Sequence, residues 1–278
     1  MIDLHSHTTA SDGYLEAHAL VREAWTAGIR VLAVTDHDTV AAVAPAREAA
    51  EAFGLTVISG IEITAVDGGR DVHILGYFFD TGAAPLAAFL GVQRATRRDR
   101  LRAMAARLAE YGVPVDFEPV LARTTPERAV GRPALAEAMV AAGHVRTHRE
   151  AFDQWIGEGC PAWIRRDGPS VGEVLGVLHQ AGGLASVAHP VLYDRDDDIA
   201  RWRDEGLDAI EVYHSEHGPA EVERYHTLAG HLGMLITGGS DFHGDHPART
   251  ARNRPRILGS VALPEEAFAR LRQASRSR

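Results

Sequence analysis

A chain of 278 residues, 45% hydrophobic and 24% charged, has the balance of a folded globular protein and the length for one α/β barrel or two smaller domains. Its net charge of -9 argues against a broad nucleic-acid-binding surface, and no apolar run nears the ~20 residues of a membrane span, so no membrane partner is expected. The single cysteine, Cys160, excludes an internal disulfide and a thiolate metal cluster; all 29 basic residues are arginine, which excludes a P-loop lysine, Schiff-base chemistry and a carbamylated-lysine metal bridge.

In chain order, residues 1–79 alternate short apolar runs with amphipathic stretches. They predict strands near 2–5 (IDLH), 30–35 (RVLAVT), 55–59 (LTVIS) and 72–78 (VHILGYF), with helices near 15–27 and 39–53. The start of the chain carries neither a basic segment nor an apolar signal core, so a cytoplasmic location is expected. Residues 84–165 show no strand alternation. A long Ala/Arg/Leu-rich pattern over 85–112 and shorter ones near 132–142 and 147–157 predict helices. The strand–helix rhythm then returns, with helices at 170–181, 196–205 and 219–231 and strands at 184–188, 208–213 and 233–237. Buried β-branched runs separated by helices predict parallel strands with helices outside. The chain therefore reads as a barrel domain over 1–83 and 166–278, interrupted by a helical insertion over 84–165 that walls or lids a substrate site.

The polar residues fall at the strand ends. In an extended strand His5 and His7 share a face about 7 Å apart, an arrangement that packing explains poorly and a metal ion explains well. Asp36 and His37 follow the second strand, Glu62 the third, and His73 lies in the segment after it. His189, His214, and Asp241 with His243 end the later strands. In a barrel these ends converge on one face, where such folds keep their active sites.

The segments DLHSHTTASDG, TDHDT, GIEIT, VHILGY, SVAHP and GGSDFHG resemble, in order and over nearly the full length, the motifs of the PHP family, named after polymerase and histidinol phosphatase. The helical insertion and the EVYH segment resemble its TrpH-like branch. The resemblance implies a distorted (β/α)7 TIM-like barrel, a site for two to three divalent ions, and hydrolysis of phosphate esters. It implies that His5, His7, Glu62 and Asp241 hold one ion, that Glu62 bridges to a second held with His73 and His189, and that Asp12, His37 and His243 hold a third. Asp12 stands where some relatives have histidine, which favours manganese or iron; zinc is the remaining alternative.

Six neutral histidines and three carboxylates around three divalent ions and a bridging hydroxide leave two positive charges, matching a phosphate monoester dianion. The expected reaction is attack by that hydroxide. His214 is the candidate proton donor to the leaving group. Asp36 and Asp38 flank His37 and are candidates for orienting its imidazole, with Asp38 alternatively capping a helix near Thr39. Arg132, in VGRPAL, is a candidate phosphate contact; relatives often carry histidine where Ala134 stands. Arg165 and Arg166, the arginine run over 94–107, and His18, His144, His148, His179, His217, His226, His231 and His246 are expected to be surface or packing residues. The expected partner is a small phosphorylated substrate, a nucleotide such as a nucleoside 3′,5′-bisphosphate, or a short RNA 5′ end, with no obligate protein partner. Histidinol phosphate is the alternative substrate; an amidohydrolase-like enzyme and a non-catalytic metal-binding module are the remaining readings.

Overall fold

The computed structural model describes residues 1–244 and 256–277. Seven strands follow one another around a single sheet: β1 (Ile2–Asp3), β2 (Val31–Val34), β3 (Thr56–Asp67), β4 (Arg70–Tyr77), β5 (Leu184–Val187), β6 (Ala209–His214) and β7 (Leu235–Gly239). The ring closes where the Leu4 N–H donates to the Gly238 carbonyl at 3.1 Å and Ser6 bridges to Phe242. Glycine is required at that seam, because a Cβ on Gly239 would stand 2.3 Å from the His5 nitrogen. The result is the distorted seven-stranded barrel that the resemblance to the PHP family implies.

One strand departs from the expected parallel order. β1–β2–β3 and β5–β6–β7 are parallel, but β4 is antiparallel to both its neighbours. Its reversal comes from the two-residue turn Gly68–Gly69, whose φ angles of 56° and 79° belong to the left-handed region that tight hairpins need. β3 accordingly runs well past the expected 55–59. Because β4 starts at the end where its antiparallel neighbours β3 and β5 finish, His73 near its beginning faces the same rim as His189 after β5.

Helices α1 (Ala17–Thr26) and α2 (Val43–Glu51) cover one side of the barrel, packing Leu20, Val21 and Ala46 over Leu32 and Val57. From α3 (Ala84–Glu110) the chain builds a helical roof with α4 (Glu118–Ala122), α5 (Arg132–Ala141), α6 (His148–Ala151) and a π-helical turn over Phe152–Ile156. α3 belongs to both parts. Leu86 and Leu90 sit in the barrel core, whereas Leu101, Met104 and Leu108 sit in a separate core with Leu135, Met139 and Ile156. At ~1.5 Å per residue this helix is about 40 Å long, enough to run from the barrel foot into the roof. The chain returns through α7 (Val171–Gln180), started by a Ser170–Glu173 capping box, then α8 (Asp196–Asp204), α9 (Pro219–Leu232) and α10 (Glu265–Ser275). No described helix is long and apolar enough to cross a membrane.

Candidate active site

Glu62, on β3 and 1% exposed, is the centre of the site. Its Oε1 lies 2.6 Å from His73 Nδ1 and 3.1 Å from His189 Nε2. Its Oε2 lies 3.2 Å from His37 Nδ1, 3.3 Å from His7 Nε2 and 3.5 Å from His5 Nε2. Asp241 points Oδ1 at His7 Nε2 (3.2 Å), His5 Nε2 (3.4 Å) and His243 Nδ1 (3.4 Å). Asp12 lies 3.3 Å from His243 Nε2, 3.8 Å from His7 Nδ1 and 3.9 Å from His37 Nε2. The fold thus brings all nine expected ligand positions together from six strand ends and one loop.

The polar atoms of this cluster fit cations better than they fit each other. His5 Nε2, both ring nitrogens of His7, His37 Nδ1 and Asp241 Oδ1 are buried with no hydrogen-bond partner, although buried polar atoms in proteins are as a rule paired. Donor atoms of His7, Asp12, His37 and His243 lie within 4.8 Å of one another, and so do those of His5, His7 and Asp241, of His5, Glu62 and His189, and of His37, Glu62 and His73. Imidazole and carboxylate donors at this spacing suit divalent metals. Without ions the cluster polarises itself. Burial opposes a charge on His7, but the Asp241 and Glu62 carboxylates win and push its pKa up to about 9. Burial prevails at His37, pushed down to about 3, and at His189, down to about 4.

A second layer holds the imidazoles. Glu211, on β6 and fully buried, accepts the His189 backbone N–H at 2.7 Å and lies 2.8 Å from His5 Nδ1. The sequence reading missed it, though a carboxylate in the middle of the apolar run AIEVYH was itself a signal. The Tyr193 hydroxyl accepts the His73 backbone N–H at 2.9 Å and lies 3.1 Å from His189 Nδ1. His214 Nδ1 accepts the Glu216 N–H at 3.1 Å, which leaves the ring proton on Nε2, 3.3 Å from Asp241 Oδ2. Asp38, His189 and Asp241 are three of the five described non-glycine residues with positive φ, the local strain that functional sites tolerate.

Several expected roles are corrected by position. Asp36 does not touch His37; it accepts the Thr8 N–H (2.7 Å), the Thr8 hydroxyl (2.6 Å) and the Ser11 hydroxyl (2.6 Å), and so fixes the loop carrying Asp12. Nor does Asp38 cap a helix, since α2 starts only at Val43. Its carboxylate binds Arg97 and Arg166, the latter at 3.1 Å. Arg166 is therefore buried, 5% exposed, while Arg165 is exposed as expected. The arginine run on α3 is a solvated face only in part: Arg102 and Arg107 are exposed, whereas Arg97, Arg98 and Arg100 are partly buried. Arg97 donates to Thr64 Oγ1 at 3.0 Å, Arg98 to the Thr125 carbonyl at 2.7 Å and Arg100 to the Ile164 carbonyl at 2.8 Å. His148 is buried and lines the cleft rather than the outer surface; His217 is buried against Tyr225. His246 lies outside the described residues.

Above the cluster opens a cleft of about 750 Å³. Glu62, His37, His73, His189 and Asp241 form part of its lining, and the roof contributes Arg97, Arg100 and Arg132, joined by Arg166. Arg132 stands over the Phe152 ring at 5.5 Å from its centroid. Burial and the neighbouring charges of Arg132, Arg166 and Arg97 push Arg100 down to about 10, against the pull of Asp71. Guanidinium groups crowded in this way are a receptor for an anion. His214 is not among the residues that line the cleft.

Residues 3–124 match the PHP domain. The 5′-3′ exoribonuclease Rnm of Salmonella typhimurium is 34% identical over 252 residues, covering 88% of this chain and 86% of that protein. The chain belongs to the PHP family. Among other PHP relatives, the 3′,5′-nucleoside bisphosphate phosphatase of Chromobacterium violaceum is 30% identical over 247 residues, 87% of each chain. A solved structure of a candidate metal-dependent phosphoesterase from Bifidobacterium adolescentis superposes with a TM-score of 0.86 at 33% identity, over 97% of this chain and 94% of that one.

Proposed function

We propose that this chain, a metal-dependent phosphoesterase, removes the 3′-phosphate of nucleoside 3′,5′-bisphosphates, giving the 5′-monophosphate and phosphate, and also acts on short RNA with a 5′-phosphate. The observation that carries the reading is the stacking of two elements in one cleft: the Glu62-centred ligand cluster, suited to cations, at the floor and the cationic arginines on the wall. A substrate with one phosphate to cleave and another to hold uses both. Histidinol phosphate has one phosphate and a cationic amine, for which four arginines are poor neighbours. A chain that served only as a binding module would have no need of the complete cluster.

In this reading His5, His7, Glu62 and Asp241 hold one ion, His73 and His189 with Glu62 a second, and Asp12, His37 and His243 a third. The mixture of imidazole and carboxylate donors, with Asp12 as a hard ligand, favours manganese over iron or zinc. Bound ions would polarise the phosphoryl oxygens and lower the pKa of water at the floor. The chain's own residues supply orientation. Glu211 holds His5, Tyr193 holds His189, and Asp36 fixes the loop that presents Asp12. His214 lies beneath Asp241 and away from the cleft, so we assign it to fixing that carboxylate rather than to proton donation. Arg132 reaches the phosphate that is kept, and the segment 84–165 acts as the recognition unit. Nucleotide substrates place the enzyme in the cytoplasm.

The test is product analysis with manganese present on adenosine 3′,5′-bisphosphate, a short 5′-phosphorylated RNA and histidinol phosphate in parallel. AMP with phosphate from the first is expected, and mononucleotides from the second. Turnover of histidinol phosphate alone would overturn the reading.

A further inference from the structure

Arg256 is a cation inside the cluster that no motif announced. Its side chain is 11% exposed and lines the cleft. The guanidinium contacts Asp241 Oδ2 and lies 3.4 Å from His243 Nδ1. The oxygens of Asp241 are thereby divided. Oδ2 is held by Arg256 and by His214, whereas Oδ1 has no hydrogen-bond partner and faces His5, His7 and His243.

The groups that could hold ions are not equally compensated against this charge. The His7–Asp12–His37–His243 group contains one carboxylate, Asp12, and one of its imidazoles is the ring beside Arg256. The His5–His7–Asp241 group meets the same charge through Asp241, but Glu62 lies 3.5 Å and 3.3 Å from its two imidazoles and adds a second carboxylate; the groups around His73 and His189 also draw on Glu62. Arginine keeps its proton under all ordinary conditions, so its charge is fixed, and like charges repel more strongly in a buried site than in water.

We propose that Arg256 is a positioning residue that makes the Asp12 group the loosest ion site, so that the chain keeps two ions firmly around Glu62 and takes a third only at raised metal concentration. The inference rests on the reading of these residues as ion ligands. Arg256 sets a fixed charge 3.4 Å from His243, an imidazole of the third ion's group, and it does so on the wall of the cleft.

Ion counting and stepwise titration on the full chain test this without reference to turnover. Manganese per chain is measured after dialysis against metal-free buffer, and free manganese is followed by electron paramagnetic resonance during titration. The wild type is expected to retain two ions. Arg256→Gln is expected to retain three, its weakest site tightened by about tenfold or more. Arg256→Lys, which keeps the charge, is expected to retain two. Damage to the fold loosens ions, so tightening separates an electrostatic role from a structural one. An unchanged or weakened last site in both Arg256→Gln and Arg256→Ala overturns the inference while leaving the ligand reading intact. A wild-type chain that binds no manganese overturns both.

Discussion

Asp38 and Arg166 stand 128 residues apart in the chain and 3.1 Å apart in the fold. Asp38 follows β2 in the barrel, Arg166 closes the segment that returns from the roof, and Arg97 of α3 shares the same carboxylate oxygen. All three side chains are buried or nearly so, and this one contact ties the roof to the barrel at the edge of the cleft. Asp38→Ala leaves two buried guanidiniums without their carboxylate and should cost about 3–5 kcal/mol, read as a shift in the urea midpoint. Burial alone would raise the Asp38 pKa, but Arg97 and Arg166 hold it below the ordinary value. A depressed carboxyl pKa contributes stability above the unfolded value, near 4, that is lost as pH falls through the folded one. The gap between wild type and Asp38→Ala should therefore narrow in acid; a gap that widens there contradicts the assignment.

Glu211 does not line the cleft, yet it holds His5 from behind and the backbone of His189 at the same time. Carboxylates in that position keep an imidazole in the tautomer and orientation a metal needs. Glu211→Gln should lower metal affinity by about 10–100-fold with the far-UV circular dichroism spectrum unchanged.

Ions bind neutral imidazoles and must displace any proton found there. In the ion-free chain His7 is pushed up to about 9 and is protonated at neutral pH, whereas His37, near 3, and His189, near 4, are already neutral. Manganese uptake at pH 7.5 should thus release protons, and apparent affinity should climb with pH until it levels beyond about 9. Calorimetry in two buffers of different ionisation heat measures the release. Equal heats in both would count against it.

Arg132 begins α5 at the roof side of the cleft, with its guanidinium over Phe152. A charge-assisted bond to the retained phosphate contributes about 1.5–3 kcal/mol, so Arg132→Ala should raise KM for a nucleoside 3′,5′-bisphosphate by about 10–100-fold. Hydrolysis of p-nitrophenyl phosphate, which has no second phosphate, should change little, and metal content not at all. Steady-state kinetics on the two substrates separates the roles.

The strand ends made the candidate ligand positions legible, because a barrel turns a pattern scattered over more than 230 residues into one rim. What stayed hidden depended on contacts between distant segments. The inward face of α3 reads as a solvated arginine stripe until the roof that covers it is known. Arg166 and Arg256 are ordinary basic residues in sequence, and only Asp38 and Asp241 give them a place. The positive φ of Asp38, His189 and Asp241 leaves no compositional trace. The reversal of β4 was legible: VDGGRDV carries a two-glycine hairpin signal between β-rich runs, and the rhythm of parallel strands on either side obscured it.

None of the nine residues at the cluster comes from 84–165, while that segment supplies Arg97, Arg100 and Arg132 to the cleft. On the proposed reading, chemistry and most of the selectivity are therefore written in separate stretches of the gene. Substitutions in the roof can retune which phosphorylated compound is welcomed, and even a replaced roof can be inherited, without any change to the apparatus that breaks the bond. A lineage with this layout can explore new substrates one segment at a time.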